Sequence, residues 1–193
     1  MEQLSLMLQN SNLVRYLPTV IIPAIGDTLK MVFISAALSI FFGMILGIIL
    51  VMTAEDGLSP HPIIHGILGK ITDIVRSFPM MILIVAVAPL TRFFIGTKIG
   101  VEAAIFAITL GSTPFATRMT EISLNTVDPQ LIKMARSIGA SKLQIIFKVM
   151  LVEALPVLIS NFTIMMINML NTTAMAGAVG AGGLGAVALA YGY

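Results

Sequence analysis

Residues 121–150 read EISLNTVDPQLIKMARSIGASKLQIIFKVM, a polar-to-amphipathic island that carries Lys133, Arg136, Lys142 and Lys148. The segments on either side are apolar enough to belong in a lipid bilayer, and every residue from Ala154 to Tyr193 is uncharged. The island is therefore where a membrane protein meets something in water.

Composition agrees with that reading. Hydrophobic residues make up 58% of the 193-residue chain and charged residues 10%, with a mean hydropathy of +1.02, whereas a soluble domain carries about 25% charged residues. The net charge of +2 comes mostly from loop lysines and arginines, so it reports membrane orientation rather than affinity for nucleic acid. The chain has no cysteine, which removes disulfides, thiolate chemistry and zinc–cysteine sites. The N-terminal segment has no basic n-region, since Glu2 is the only charge before Arg15, and the first span is expected to serve as its own signal.

The expected fold class is all-α and integral to the membrane, with about four spanning helices. About 20 apolar residues rising 1.5 Å each cross a hydrocarbon core of roughly 30 Å. The spans fall at about 28–52, 70–91, 101–120 and 153–174, with a loop at 53–65 and the cytoplasmic island at 121–150, in one domain covering 1–193. Beyond about Ala174 the chain is dense in glycine and need not be helical. Lys70, Arg76, Arg118, Lys133, Arg136, Lys142 and Lys148 fall on one side of these spans, and Arg15, Lys30, Arg92 and Lys98 on the other. The positive-inside rule puts the island in the cytoplasm and the N-terminus outside.

Within the island, Asp128 suits an N-cap, Pro129 a first helical turn, Gly139 a C-terminal cap and Ser141 the cap of a following helix. Leu131, Met134, Ala135 and Ile138 recur at helical spacing and make one apolar stripe. A helix of about ten residues is marginal alone and wants a groove to sit in. The stripe could equally lie on the membrane surface or on its own bundle. Ala135 and Gly139 at a tight turn also imitate a DNA-binding helix-turn-helix, but apolar spans on both sides leave no room for a third supporting helix.

The stretch Lys133–Pro156, KMARSIGASKLQIIFKVMLVEALP, resembles the coupling loop of bacterial ABC importer permeases, whose pattern runs E-A-A, three residues, G, nine residues, I-x-L-P. Ala135 and Gly139 match at the family spacing, while Lys133 stands where Glu is usual, Met134 replaces the first Ala, Val149 replaces Ile, and Val152 sits where Pro is common. Further pieces are similar to the methionine importer (MetI-type) branch: Arg76-Ser77-Phe78-Pro79, Pro89-Leu90-Thr91-Arg92, Gly96-Thr97-Lys98-Ile99-Gly100, the tract Ala178–Gly185, and Tyr191-Gly192-Tyr193. The resemblance implies a type I ABC importer permease fold and a transmembrane permease subunit, most closely one for methionine, with betaine-like or phosphonate solutes as the alternative within the class. It implies a homodimer, two separate ATP-binding subunits that hold the ATP and magnesium, and an extracytoplasmic binding protein. It makes Leu131, Lys133, Met134, Ala135, Arg136, Ile138, Gly139 and Ala140 the helix that couples to the ATPase. The family also has a fifth span after the YGY segment, so the sequence is expected to be truncated.

Other features discriminate between functions. Asp27, Glu102, Glu121 and Glu153 lie near span ends, whereas a secondary carrier usually keeps a carboxylate deep in the membrane. No Walker A sequence exists, because Gly69-Lys70 is followed by Ile71. The chain is thus expected to be no enzyme, with energy supplied by another polypeptide; a channel or secondary carrier would work without one. A solute route needs interior polar groups, offered by Ser112 and Thr113 in the third span and by Ser160, Asn161, Thr163, Asn168, Asn171, Thr172 and Thr173 in the fourth, with Met166 as adaptable apolar surface; helix-to-helix glue is the bland alternative. Gly180-x-Gly182-x-x-Gly185 fits a dinucleotide fingerprint literally, but no acidic residue follows; the glycines read better as a flexible outer turn or re-entrant segment. His61 and His65 are spaced as metal ligands, yet Pro60 and Pro62 disturb the helix and no third ligand accompanies them. Gly43-x-x-x-Gly47 reads as close helix packing, or else as a dimer motif. The expected surroundings are lipid of a bacterial inner membrane and no nucleic acid.

Overall fold

A computed structural model describes residues 16–192 and is all-helical over them, with no strand. Arg15 and Tyr193 lie outside the described residues. A π-helical turn at Leu17–Ile21 leads into α1 (Ile22–Thr53), followed by α2 (Pro62–Ser77), α3 (Met80–Ala86), α4 (Ala88–Ile95) and α5 (Val101–Leu124). Then come α6 (Pro129–Ser137), α7 (Lys142–Gln144), a π-helical stretch Ile145–Met150, α8 (Leu151–Glu153), α9 (Leu155–Ala176), a π-helical turn Gly177–Ala181 and α10 (Gly183–Tyr191). Two stretches, Leu17–Thr53 and Leu155–Ala181, are long and apolar enough to cross a membrane on length and composition alone.

The stretch 70–91, read from sequence as one span, is three helical pieces. Proline restricts the residue before it to extended backbone, and Phe78 takes ψ 134° ahead of Pro79, ending α2. A second break at Val87 precedes Pro89. In the glycine-dense tail Gly180, Gly182 and Gly183 take positive φ and turn the chain, and α10 then resumes a helix.

Contacts divide the chain into two compact units. The first holds the described residues up to Ser35, Met80–Ile108, and residues 169–192. In it the hydroxyl of Thr28 accepts from the Leu184 N–H at 2.9 Å and so caps the start of α10, and the Gly100 N–H donates to the Gly180 carbonyl at 3.0 Å. A Cβ on Gly177 would lie 2.6 Å from the Ala186 backbone nitrogen and one on Gly185 2.7 Å from the Ala174 Cα, so these two glycines are packed backbone to backbone.

The second unit is Ala36–Pro79 with Thr109–Asn168. Its core joins the end of α5 to the island: Leu124, Val127, Ala135, Ile145, Ile146, Met150, Ala154 and Leu158 are all buried together. Gly43 and Gly47 of α1 press on α5, where a Cβ on Gly43 would come 2.9 Å from the Ala116 carbonyl carbon and the Thr117 nitrogen, and one on Gly47 would come 2.8 Å from the Thr117 carbonyl oxygen. One turn before Gly43, Ser39 donates to the Thr109 carbonyl at 3.2 Å. The glycine pair is thus used for packing within the chain.

Most hydroxyls in the helices bond within their own helix. Thr72, Thr91, Thr113, Thr117, Thr120, Ser123 and Thr163 each donate to the carbonyl four residues earlier. This back-bonding supplies an acceptor where no water is present. His61 and His65 serve two different neighbours: the His61 ring accepts from the Ile64 N–H as the cap of α2, at 3.5 Å, and His65 Nδ1 donates to the Leu50 carbonyl at 3.0 Å.

Candidate functional site

The island folds as its local sequence dictates. Asp128 Oδ1 accepts from the Gln130 N–H at 2.8 Å, with Pro129 in the first turn of α6. Gly139 ends the helix at φ +82°, a conformation that costs an L-residue roughly 1–2 kcal/mol. Ser141 and Gln144 then form a reciprocal capping box for α7, with bonds of 2.8 Å and 3.3 Å.

The stripe expected on α6 divides into two edges. Ala135 is buried and Leu131 and Ile132 pack against the same core, whereas Met134 is 59% exposed and Ile138 80% exposed. So short a helix can dock only part of an apolar arc, and the core of the second unit takes the Leu131–Ala135 edge. Lys133 and Arg136 are exposed and Ala140 is half-buried against the core. Two side chains fix the island to the α1–α2 loop: Arg136 donates to the Gly57 carbonyl at 3.2 Å, and Lys142 to Ser59 Oγ at 3.1 Å. The sequence carries no signal for this strap, because its acceptors are a backbone carbonyl and a hydroxyl rather than the Glu55 or Asp56 carboxylates. The result is a helix packed on its inner edge, with an apolar outer edge flanked by cations.

Beside the island, a cleft of about 390 Å³ opens between the 54–58 loop and the start of α6, floored by Val51, Leu124, Ile132 and Met150.

The polar candidates scatter around their helices. Ser112 and Thr173 are buried, and Thr173 donates to the Leu170 carbonyl at 2.7 Å. Thr113 is half-buried and bonded to the Thr109 carbonyl at 2.7 Å. On α9, Thr163, Asn168 and Asn171 are exposed, while Met166 and Thr172 are half-buried. Asn161, in register with Asn168 at i, i+7, donates to Ser123 Oγ of α5 at 2.9 Å and is helix-to-helix glue.

A charged cluster lies one turn before the end of α5. Arg118 donates through Nε to Asp73 Oδ1 at 3.1 Å, and through Nη2 to Asp73 Oδ2 at 2.8 Å and to the Gly69 carbonyl at 3.2 Å. Its Nη1 donates to Glu121 Oε2 at 2.6 Å. Arg76 lies over the Phe115 ring at 5.7 Å. Nothing in the sequence pairs residues 45 apart, so this cluster was not foreseen.

The family model described as binding-protein-dependent transport system inner membrane component matches residues 39–191. A probable D-methionine transport system permease protein MetI of Vibrio cholerae is 42% identical over 173 residues, covering 90% of this chain and 77% of that protein. The methionine import system permease protein MetP of Bacillus subtilis is 40% identical over 145 residues, 75% of this chain and 65% of that one. A solved structure of the MetNI methionine ABC transporter, in an inward-facing conformation, superposes with a TM-score of 0.86 at 40% identity, over 88% of this chain and 78% of that one. An amino acid ABC transporter structure at 19% identity, with a TM-score of 0.75, has the same fold. With a match over most of its length, the chain belongs to the family of binding-protein-dependent transport system inner membrane components.

Proposed function

We propose that this chain is the permease subunit of an ATP-driven methionine importer, and that α6 is the element through which a separate ATP-binding subunit moves it. The observation that carries the reading is the divided edge of α6. Leu131 and Ala135 lock the helix to the permease, while Met134 and Ile138 stand exposed beside Lys133 and Arg136. An apolar ridge this exposed at the end of a helix packed on its other edge is what a groove on a second protein would take. Gly139 and Ala140 set the elbow that holds the ridge at its angle.

Two copies flank the solute route and two ATPase subunits ride on the two α6 helices, on the cytoplasmic side, with the N-terminus outside. Closure of the ATPases on ATP tilts the permease halves and exposes the route alternately to each side, and an extracytoplasmic binding protein delivers the solute. ATP and magnesium are held by the partner subunit. A route formed between two copies must be lined by residues exposed in one copy. That favours the exposed Thr163, Asn168 and Asn171, with the half-buried Met166 and Thr172, over Ser112, Thr113 and Thr173.

The test is uptake of labelled methionine by proteoliposomes holding the full-length permease, its ATPase and its binding protein, competed with unlabelled betaine and phosphonate. Competition by methionine alone supports the assignment. Uptake restored only by another solute keeps the importer and discards methionine, and uptake without the ATPase discards the importer.

A further inference from the structure

We propose that Arg118 is a positioning residue for transport, one that makes α2 travel with α5 when the coupling loop is displaced. The inference rests on the importer reading above, because it assigns a path for motion that begins at α6.

The geometry at Arg118 is directional. Its guanidinium fork meets both Asp73 oxygens at 3.1 Å and 2.8 Å and the Gly69 carbonyl at 3.2 Å. These acceptors lie one turn apart on α2, so the fork fixes the angle between the helices as well as their separation. Glu121, on the same helix as Arg118, holds the opposite end of the guanidinium at 2.6 Å. The Arg118 and Glu121 side chains are 19% and 14% exposed, whereas Asp73 is 59% exposed. An exposed ion pair adds little to stability, so the arm to Asp73 contributes orientation more than cohesion. At Gly69 a Cβ would lie 3.4 Å from Arg118 Nη2, so the missing side chain lets the guanidinium reach the backbone of α2 closely.

The other end of the path is packed. Leu124 lies one turn beyond Glu121 and is buried in one core with Ala135 of α6 and with Ile145 and Ile146 of the loop. A push on α6 therefore reaches α5 through close-packed side chains, and α2 through the guanidinium. Apolar surfaces alone would let α2 slide; Arg118 prevents that.

The experiment uses the full-length permease reconstituted with its ATPase and binding protein, with methionine uptake and ATP hydrolysis measured in the same vesicles. Asp73→Ala removes both guanidinium bonds to the α2 carboxylate, together with the 4.0 Å Arg76–Asp73 pair within α2, and leaves the Gly69 bond and the Arg118–Glu121 pair in place. The expected result is assembled complex, ATP hydrolysis within about twofold of the parent, and methionine taken up per ATP lowered about fivefold or more. Arg118→Lys should show the same split, because an ammonium cannot supply the fork. Uptake per ATP within about twofold of the parent in Asp73→Ala overturns the proposal. The chain has no cysteine, so a spin-label pair introduced on α2 and α5 gives a second readout in the purified permease. The distance distribution should broaden in Asp73→Ala, and one as narrow as the parent's overturns the proposal even if no variant assembles. A parent that shows no ATP-dependent uptake defeats the importer reading instead, and the label distances still decide the role of Arg118.

Discussion

Gly43→Val should destabilise the permease chain itself. A Cβ at that position meets the Ala116 side chain, and it would lie 2.9 Å from the Ala116 carbonyl carbon and the Thr117 nitrogen. Those last two are backbone atoms that cannot swing aside, so α1 must move away from α5 by a sizeable fraction of an ångström. Overpacking of this kind costs about 1–3 kcal/mol. The Ser39 bond to the Thr109 carbonyl, already 3.2 Å long and one turn away, would break with the shift, at about 0.6 kcal/mol for a bond between membrane helices. The expected loss is roughly 2–4 kcal/mol. It is measured by unfolding the purified permease in mixed micelles with increasing SDS, following helix content. Ala116→Gly removes the nearest obstacle, so Gly43→Ala and Ala116→Gly should be less damaging together than the sum of the two alone. A Gly43→Val permease within about 0.5 kcal/mol of the parent, with its oligomeric state changed instead, would refute the packing argument and make the glycine pair a contact between copies.

Three further outcomes are expected. Gly139→Val meets no atom within 4 Å, so its cost is the backbone strain of φ +82° alone; the permease should insert and assemble but lose most uptake per ATP hydrolysed, and full uptake would sink the assignment of α6. Thr28→Val orphans the Leu184 N–H, and hydrogen exchange at Leu184 should rise about tenfold, as loss of roughly 1–2 kcal/mol of local stability requires; unchanged protection would mean that the cap contributes nothing. Asp128→Ala removes the acceptor for Gln130 and should lower stability by about 1 kcal/mol, read in the same SDS titration, with a change under about 0.3 kcal/mol arguing against the cap.

The parts of the fold legible in the sequence are those set by neighbours along the chain. Asp128, Gly139 and Ser141 cap helices through bonds spanning two or three residues, so their roles follow from position alone. The Gly43–Gly47 pair was legible as a packing site, but not its partner, because the identity of the facing helix depends on topology. The division of the α6 stripe was hidden for a different reason. Helical spacing places Leu131, Met134, Ala135 and Ile138 on one arc, but which edge of the arc is buried depends on Leu124, Ile145 and Met150, which approach from one side. The proline at 79 was visible, yet its effect was underrated: it divides the stretch 70–91 rather than merely bending it. The Arg118 cluster joins residues far apart in sequence, and no periodicity encodes it.

The back-bonded hydroxyls of α2, α5 and α9 bear on how such a chain is made. Each threonine or serine that donates to the carbonyl four residues behind it brings its acceptor from the ribosome as part of the same segment. Each hydroxyl so bonded can partition from the insertion machinery into lipid before any neighbour exists, since its acceptor travels with it; Thr109 of α5, whose buried hydroxyl has no partner among the described residues, is an exception. Asn161 and Ser39 are different, because their acceptors arrive on another segment. Assembly after synthesis is therefore left to a few bonds of this second kind, which act as checkpoints on which helix meets which.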